Sequence, residues 1–428
     1  MIAKDADTYI SPLELLASFV SEDQYIKEKF ITPELLVRLF EPVFYTSLKS
    51  EEGQYVQFTI TFFNHETRPT NKAKNKNLRE GWSYIPFKKR MALNVDNLIK
   101  LSKAADPWSS SIAVVSDGSG YIFIYGLIDQ ALHQQSYINL EDDNKPEQPG
   151  IFQVTVAGIG VLSIMKPGSL IATLKQDKII KTYLNVFQKG PVAEDIVAVA
   201  QNTDEEVKSF FFDRELDMDE LRYYFTTSKI PYRNSLSRIL NKIRSYKHGG
   251  AVLLTDDYNN KDLDIKYELT YKRIKEAIVK YKINAVRSNF EASEEDGQTE
   301  TLKLHRLKAE KQSIERELKG AIRFTAAQSC VDGLIVIDKT FTVQGFGGVI
   351  LLDSFKGDVY ISSSPIPSIN MRTKDASSWG TRHRTMFAYC YKYPDSLGFV
   401  ISQDGDIRAV KRIGDKLIIW ENISIQKI

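Results

Sequence analysis

Two arginines flank a histidine in Trp379-Gly380-Thr381-Arg382-His383-Arg384-Thr385, and the apolar residues Met386, Phe387, Ala388, Cys390 and Tyr391 follow. That order predicts a helix start with Thr381 as the N-cap, its hydroxyl taking up an orphan backbone N–H. The first-turn amides of such a helix point out of its end, where the macrodipole favours negative charge. Arg382 and Arg384 add planar forks of donors that match phosphate oxygens, so the stretch is a candidate phosphate seat. A capped helix whose arginines pair with carboxylates would read the same way. Upstream, Ser329-Cys330-Val331-Asp332-Gly333-Leu334-Ile335-Val336-Ile337-Asp338 sets an Asp-Gly pair ahead of an apolar strand. A carboxylate there suits a hard divalent ion, and a glycine lets a ligand come close to the backbone. An Asp-Gly turn that simply opens a strand has the same letters.

Together, in this order and at about this separation, the two stretches resemble the Asp-Gly-Ala and Gly-Thr-Arg-His-Arg signatures of the diadenylate cyclase family. That family includes the catalytic domain of the bacterial DNA integrity scanning proteins. His248-Gly249-Gly250-Ala251-Val252-Leu253-Leu254 looks like its early Gly-Ala-Leu strand, and Val400-Ile401-Ser402-Gln403 looks like its late Val-Ile-Ser strand. The resemblance covers roughly Asp219 to Ile428. It implies an α/β fold in the C-terminal half, a mixed central sheet flanked by helices. It also implies an enzyme that condenses two ATP into cyclic di-AMP and pyrophosphate, each 3′-hydroxyl attacking the other molecule's α-phosphate.

On this resemblance Asp332 would bind Mg2+ or Mn2+, and Arg382, His383 and Arg384 would act on the phosphates. Gly249, Gly250, Gly333, Leu334, Gly380, Thr381 and Ser402 would line the ATP site. His383 would donate to phosphate or orient its neighbours. Two catalytic domains would face each other, hence self-association through an isologous contact. Leu334 stands where the family usually has Ala, and its bulk is expected to reshape the base pocket. Gln403 and a missing downstream acidic residue also depart from some members. These departures keep open a non-catalytic nucleotide-binding sensor of the same fold.

The chemistry needs no covalent nucleophile, and the chain offers none: no Gly-x-Ser-x-Gly, no Cys–His spacing and no zinc cluster. His65, His133 and His305 have no partners at readable spacing. The 428 residues suffice for two or three domains with sizeable cores. A net charge of +2 supplies no general drive toward nucleic acid or membrane, so an anion site has to be local. Cys330 and Cys390 sit among apolar residues and read as buried thiols of a cytoplasmic protein. No apolar run reaches membrane-spanning length, and no early basic-then-apolar signal stretch is present.

The elements that must position these residues follow from periodicity. Helices are predicted from Pro12 to Val20 and Pro33 to Phe40, begun by Ser11 and Thr32, and an alternating strand from Tyr55 to Phe63. Short strands around Asp117-Gly118-Ser119-Gly120 and from Ile151 to Leu174 predict a compact sheet packed on those helices. Lys72, Lys74, Lys76, Arg79, Lys88, Lys89 and Arg90 interleave with Trp82, Tyr84 and Phe87, one recipe for a nucleic-acid surface. A strand edge guarded by lysines is favoured instead, since charge is otherwise balanced. This half resembles the sensor domains that precede diadenylate cyclase domains, on stretches such as Ser47-Leu48-Lys49-Ser50-Glu51-Glu52-Gly53 and Ala157 to Ile164; it names no ligand.

Farther on, Ser235 to Tyr246 predicts an amphipathic helix capped by Ser235, and Leu269, Ile274 and Ile278 have helical spacing over Tyr267 to Tyr281. The expected organisation is an α+β sensor-like domain over residues 1–200 and a helical connector over 201–234. A diadenylate cyclase-like domain over 235–428, with a helical insertion at 256–325, completes it.

Overall fold

Side-chain caps start the first helices where the sequence puts them. Ser11 and Glu14 form a reciprocal capping box on α1 (Pro12–Ser21), Asp23 caps α2 (Gln24–Lys27), and the Thr32 hydroxyl accepts from the Leu35 amide at 3.3 Å on α3 (Pro33–Ser47). The structure is a computed structural model that describes residues 10–51, 53–67, 81–106, 109–130, 137, 147–180, 184–211, 229–290, 298–368, 371–423 and 425. The chain divides into two units, Met1–Thr182 with Gln426–Ile428, and Tyr183–Ile425.

In the first unit β1 (Ser50–Glu51) and β2 (Gln54–Tyr55) make a small hairpin. The larger sheet uses β3 (Phe58–Phe63), β4 (Trp82–Ala92), β5 (Ser110–Ser116), β6 (Ile122–Gln130), β7 (Phe152–Gly158), β8 (Val161–Lys166), β9 (Ser169–Lys175) and β10 (Lys178–Ile180), with α4 (Val95–Ser102) between β4 and β5. Its order is β10-β9-β8-β7-β3-β5-β6-β4. Phe58, Ile60 and Phe62 share a core with Leu36, Leu39, Phe40 and Val43 of α3. The alternate positions are buried too: Thr59 bonds Thr155 at 2.9 Å and Thr61 bonds Ser111 at 2.6 Å. Buried hydroxyls are thus satisfied across strands rather than left to water. Lys88, Lys89 and Arg90 lie on β4, the edge of the sheet, where charge discourages further pairing. Lys72, Lys74, Lys76 and Arg79 lie outside the described residues.

The second unit opens with α5 (Pro191–Asn202), α6 (Asp204–Phe211) and α7 (Lys229–Ser245), then β11 (Gly250–Leu254) and β12 (Leu263–Tyr271). Next come α8 (Arg273–Phe290), α9 (Gln298–Ala327), β13 (Leu334–Ile337), β14 (Val343–Ile350), β15 (Asp358–Ser362) and β16 (Arg372–Asp375). The chain closes on α10 (Thr381–Lys392), β17 (Leu397–Ile401), β18 (Ile407–Ile413) and β19 (Lys416–Trp420). The mixed nine-stranded sheet runs β12-β14-β13-β11-β17-β18-β19-β15-β16. Its central strands are apolar throughout because both faces are covered. Val252, Leu254, Ile335 and Ile337 pack with Leu236, Ile239 and Ile278 on one side, while Ala251, Leu253, Leu334 and Val336 pack with Met386 and Phe387 of α10 on the other.

Four expectations need correction. The unit boundary falls at 182/183, not at 200, because Val192, Ile196 and Val199 of α5 join the core of Tyr232 and Leu236. Lys282 on α8 also bonds Asp204 of α6 at 2.9 Å in a buried pair. The segment 256–325 is not wholly helical, since β12 extends the main sheet by pairing with β14. Leu269 and Ile274 match a helical spacing only by straddling the junction of β12 and α8. Ser235 is no cap: α7 has already begun by Lys229, and Ser235 is buried within it. Cys390 is buried, its thiol pushed up to about 12 by desolvation, but Cys330 is exposed.

Candidate functional site

The parallel register of β11 on β13 pairs Val252 with Ile335. The two strands run in the same direction, so Gly249, just ahead of β11, and the bend Asp332-Gly333, just ahead of β13, lie at the same end of the pair. On the other flank, β17 runs antiparallel and pairs Gly250 with Ile401. The starts of β11 and β13 and the end of β17 therefore lie together at one end of these central strands. Arg382 reaches the same point: a Cβ on Gly249 would stand 2.8 Å from the Arg382 Nη1 and 2.8 Å from the Ile401 carbonyl. Gly249 also has a φ of +73°, so a side chain there would be both strained and in the guanidinium's place. Asp332 and Arg382, fifty positions apart in the chain, thus lie at the same end of the paired strands β11 and β13.

Among the described residues Asp332, Arg382 and Arg384 form no ion pair. Asp332 and Arg382 are exposed, whereas Arg384 is half-buried and its Nε is a buried donor without an acceptor. The Trp379 Nε1 is a second such donor. Buried donors left over at a helix N-terminus fit an anion.

The helix starts one residue earlier than expected. Gly380 is the N-cap of α10, with no side-chain cap, and its carbonyl accepts from the amides of His383 at 3.0 Å and Arg384 at 3.2 Å. Thr381 is the exposed first helical residue, so its hydroxyl caps nothing. No atom lies within 4 Å of where a Gly380 Cβ would stand, which leaves the helix entrance open.

His383 is half-buried beneath Trp379, their rings 5.2 Å apart. Burial first, then the cations Arg408 and Arg382, lower its pKa to about 4. The unfolded imidazole takes its proton near 6.5, so His383 costs stability as pH falls from there toward 4 and nothing above. Arg408, on β18, was not singled out from sequence; its Nη1 lies 3.4 Å from the His383 Nε2. A lone arginine in Ile407-Arg408-Ala409-Val410 carries no motif, and its sole sequence cue is its place two residues after Asp406.

Other predicted site residues also have a part in the fold. A Cβ on Gly333 would come within 2.4 Å of Gly347 backbone, and one on Gly250 within 2.7 Å of Ile243, so these glycines make room for the chain itself. The Ser402 hydroxyl closes the turn to β18, donating to the Asp406 carbonyl at 3.2 Å and accepting its amide at 3.1 Å. Leu334 does not face an open base pocket: it is 5% exposed, in the core with Met386 and Phe387, with Gly348 of β14 yielding the space. Leu334→Ala should accordingly lower stability by about 2–5 kcal/mol, the cost of a buried Leu truncation, read as a fall in Tm.

No three His, Cys, Asp or Glu residues gather as a metal cage among the described residues. The single unpaired carboxylate of Asp332 fits a divalent ion that takes its remaining ligands from phosphate and water. No described helix is long and apolar enough to cross a membrane.

Compared with known proteins, residues 27–129 match the family model of a probable sensor domain, DACNV. Sensor domains of this kind are often found with diadenylate cyclase domains. No curated protein matches the chain. The matched stretch lies within the first unit, which is therefore similar over residues 27–129 to a probable sensor domain.

Proposed function

We propose that the protein is a cytoplasmic diadenylate cyclase, condensing two ATP into cyclic di-AMP and pyrophosphate under control of its N-terminal sensor. The observation that carries this reading is that Asp332 and Arg382 lie at the same end of the paired strands β11 and β13, neither in an ion pair among the described residues. The likeness of residues 332–334 and 380–384 to the family's signatures, and the sensor match upstream, support it.

In this reading the α10 amides, Arg382 and Arg384 hold the triphosphate, and the guanidiniums offset charge gathering on the departing pyrophosphate. The 3′-hydroxyl oxygen of one ATP forms a bond to the α-phosphorus of the other as the bond to the β-phosphate bridge breaks. Asp332 orients that hydroxyl and would hold Mg2+ or Mn2+. Such an ion, when bound, makes the hydroxyl easier to deprotonate and neutralises phosphate charge. Fixing both reactants in line supplies the remaining advantage. Each domain presents one ATP, so the reaction needs two copies facing each other, and the sensor would act by biasing that docking.

Incubation of the purified chain with ATP and Mn2+ tests the reading. Cyclic di-AMP and pyrophosphate are the expected products. ATP binding without product would leave a nucleotide-binding sensor of the same fold instead.

A further inference from the structure

We propose that Arg408 is a positioning residue for His383, fixing the imidazole with Nε2 as acceptor and Nδ1 as its one N–H donor. Its place in catalysis rests on the cyclase reading, but the tautomer can be measured without turnover. A guanidinium carries donors only and stays protonated. The Arg408 Nη1, 3.4 Å from the His383 Nε2, can therefore face only that nitrogen's lone pair. The ring's proton is left on Nδ1, the less common arrangement for a free imidazole being imposed by the partner on the other nitrogen.

Arg408 is itself held from several sides. Its Nη2 lies 3.5 Å from the Asp406 Oδ2, its Nε 3.9 Å from the Glu421 Oε1, and its guanidinium 5.3 Å from the centre of the Trp379 ring. Trp379 in turn packs on His383, so one indole sets the position of both the arginine and the imidazole. The charged groups around His383 are Arg382 on its own helix, Arg408 with Asp406 and Glu421 behind it, and Lys374, 4.6 Å from the Trp379 ring. Cations adjoin the imidazole directly and carboxylates stand behind Arg408, an order that disfavours a second proton on the ring. His383 then acts as a neutral hydrogen-bond donor through Nδ1, never as a cation clamping phosphate. The two cations of the Arg-His-Arg run are its arginines alone.

Nitrogen-15 NMR of the full chain labelled at histidine tests this, with His383→Gln identifying the signal among five histidines. The expected wild-type signal at pH 7 is the Nδ1–H tautomer, with no titration down to pH 5. Arg408→Ala should shift the ring toward the Nε2–H tautomer, raise its pKa, and lower kcat by about tenfold or more, with little change in the KM for ATP. Arg408→Lys, which keeps a charged donor, should restore part of both and serves where the alanine variant fails to fold. An Nε2–H tautomer in the wild type, or an unchanged His383 signal in a folded Arg408 variant, would overturn the proposal. Absence of cyclic di-AMP from the wild type would instead fail the cyclase reading and leave the tautomer result standing.

Discussion

Asp332→Asn should abolish cyclic di-AMP formation while leaving the protein folded. The carboxylate is exposed and pairs with no cation among the described residues, so replacing it with an amide of the same shape removes charge without orphaning a partner. An exposed change of this kind alters stability by roughly 0.5 kcal/mol or less, a small shift in Tm. Activity should respond very differently. The amide cannot serve as an anionic ligand for Mg2+ or Mn2+, and no cluster of three or more His, Cys, Asp or Glu residues among the described residues could take over. Thermal melting beside product chromatography checks both halves. Wild-type turnover would take Asp332 out of the site.

Arg382→Ala should cost about 3 kcal/mol of transition-state stabilisation, roughly a hundredfold in kcat, the scale of a lost oxyanion donor. Here too the fold should not suffer, because the side chain is exposed and tied to no carboxylate among the described residues. The guanidinium occupies the space beside Gly249, so its removal empties the seat and does not open a core cavity. Arg382→Lys should recover only part of the loss, since a point charge lacks the planar fork that grips two phosphate oxygens. Steady-state kinetics with ATP decide it, and a kcat near that of the wild type would contradict the assignment.

Much of this was legible in the letters where chemistry is local. Ser11, Asp23 and Thr32 act through bonds within three residues, and the caps read from Ser11 and Thr32 are present in the structure. The apolar run Ala251–Leu254 spells a strand buried on both faces, which it is. Long-range causes were not legible. Gly333 and Gly250 look like ligand glycines until Gly347 and Ile243 are seen against them. Leu334 looks like an intrusion into a pocket until Gly348 is found giving way. Ser235 has the chemistry of a cap but sits inside a helix that begins upstream, and the strand Leu263–Tyr271 is hidden because its apolar residues run on into the next helix's stripe. Arg408 joins His383 only through pairing of β18 with β17 and packing of α10, which no short spacing encodes.

The most direct measurement is a crystal structure with Mn2+ and 3′-deoxy-ATP, which lacks the attacking hydroxyl and cannot react. The account predicts a manganese anomalous peak beside the Asp332 carboxylate and the triphosphate on the α10 N-terminus, within reach of Arg382 and Arg384. Nucleotide bound elsewhere, or a triphosphate on the arginines with Asp332 turned away from metal and ribose alike, would contradict it.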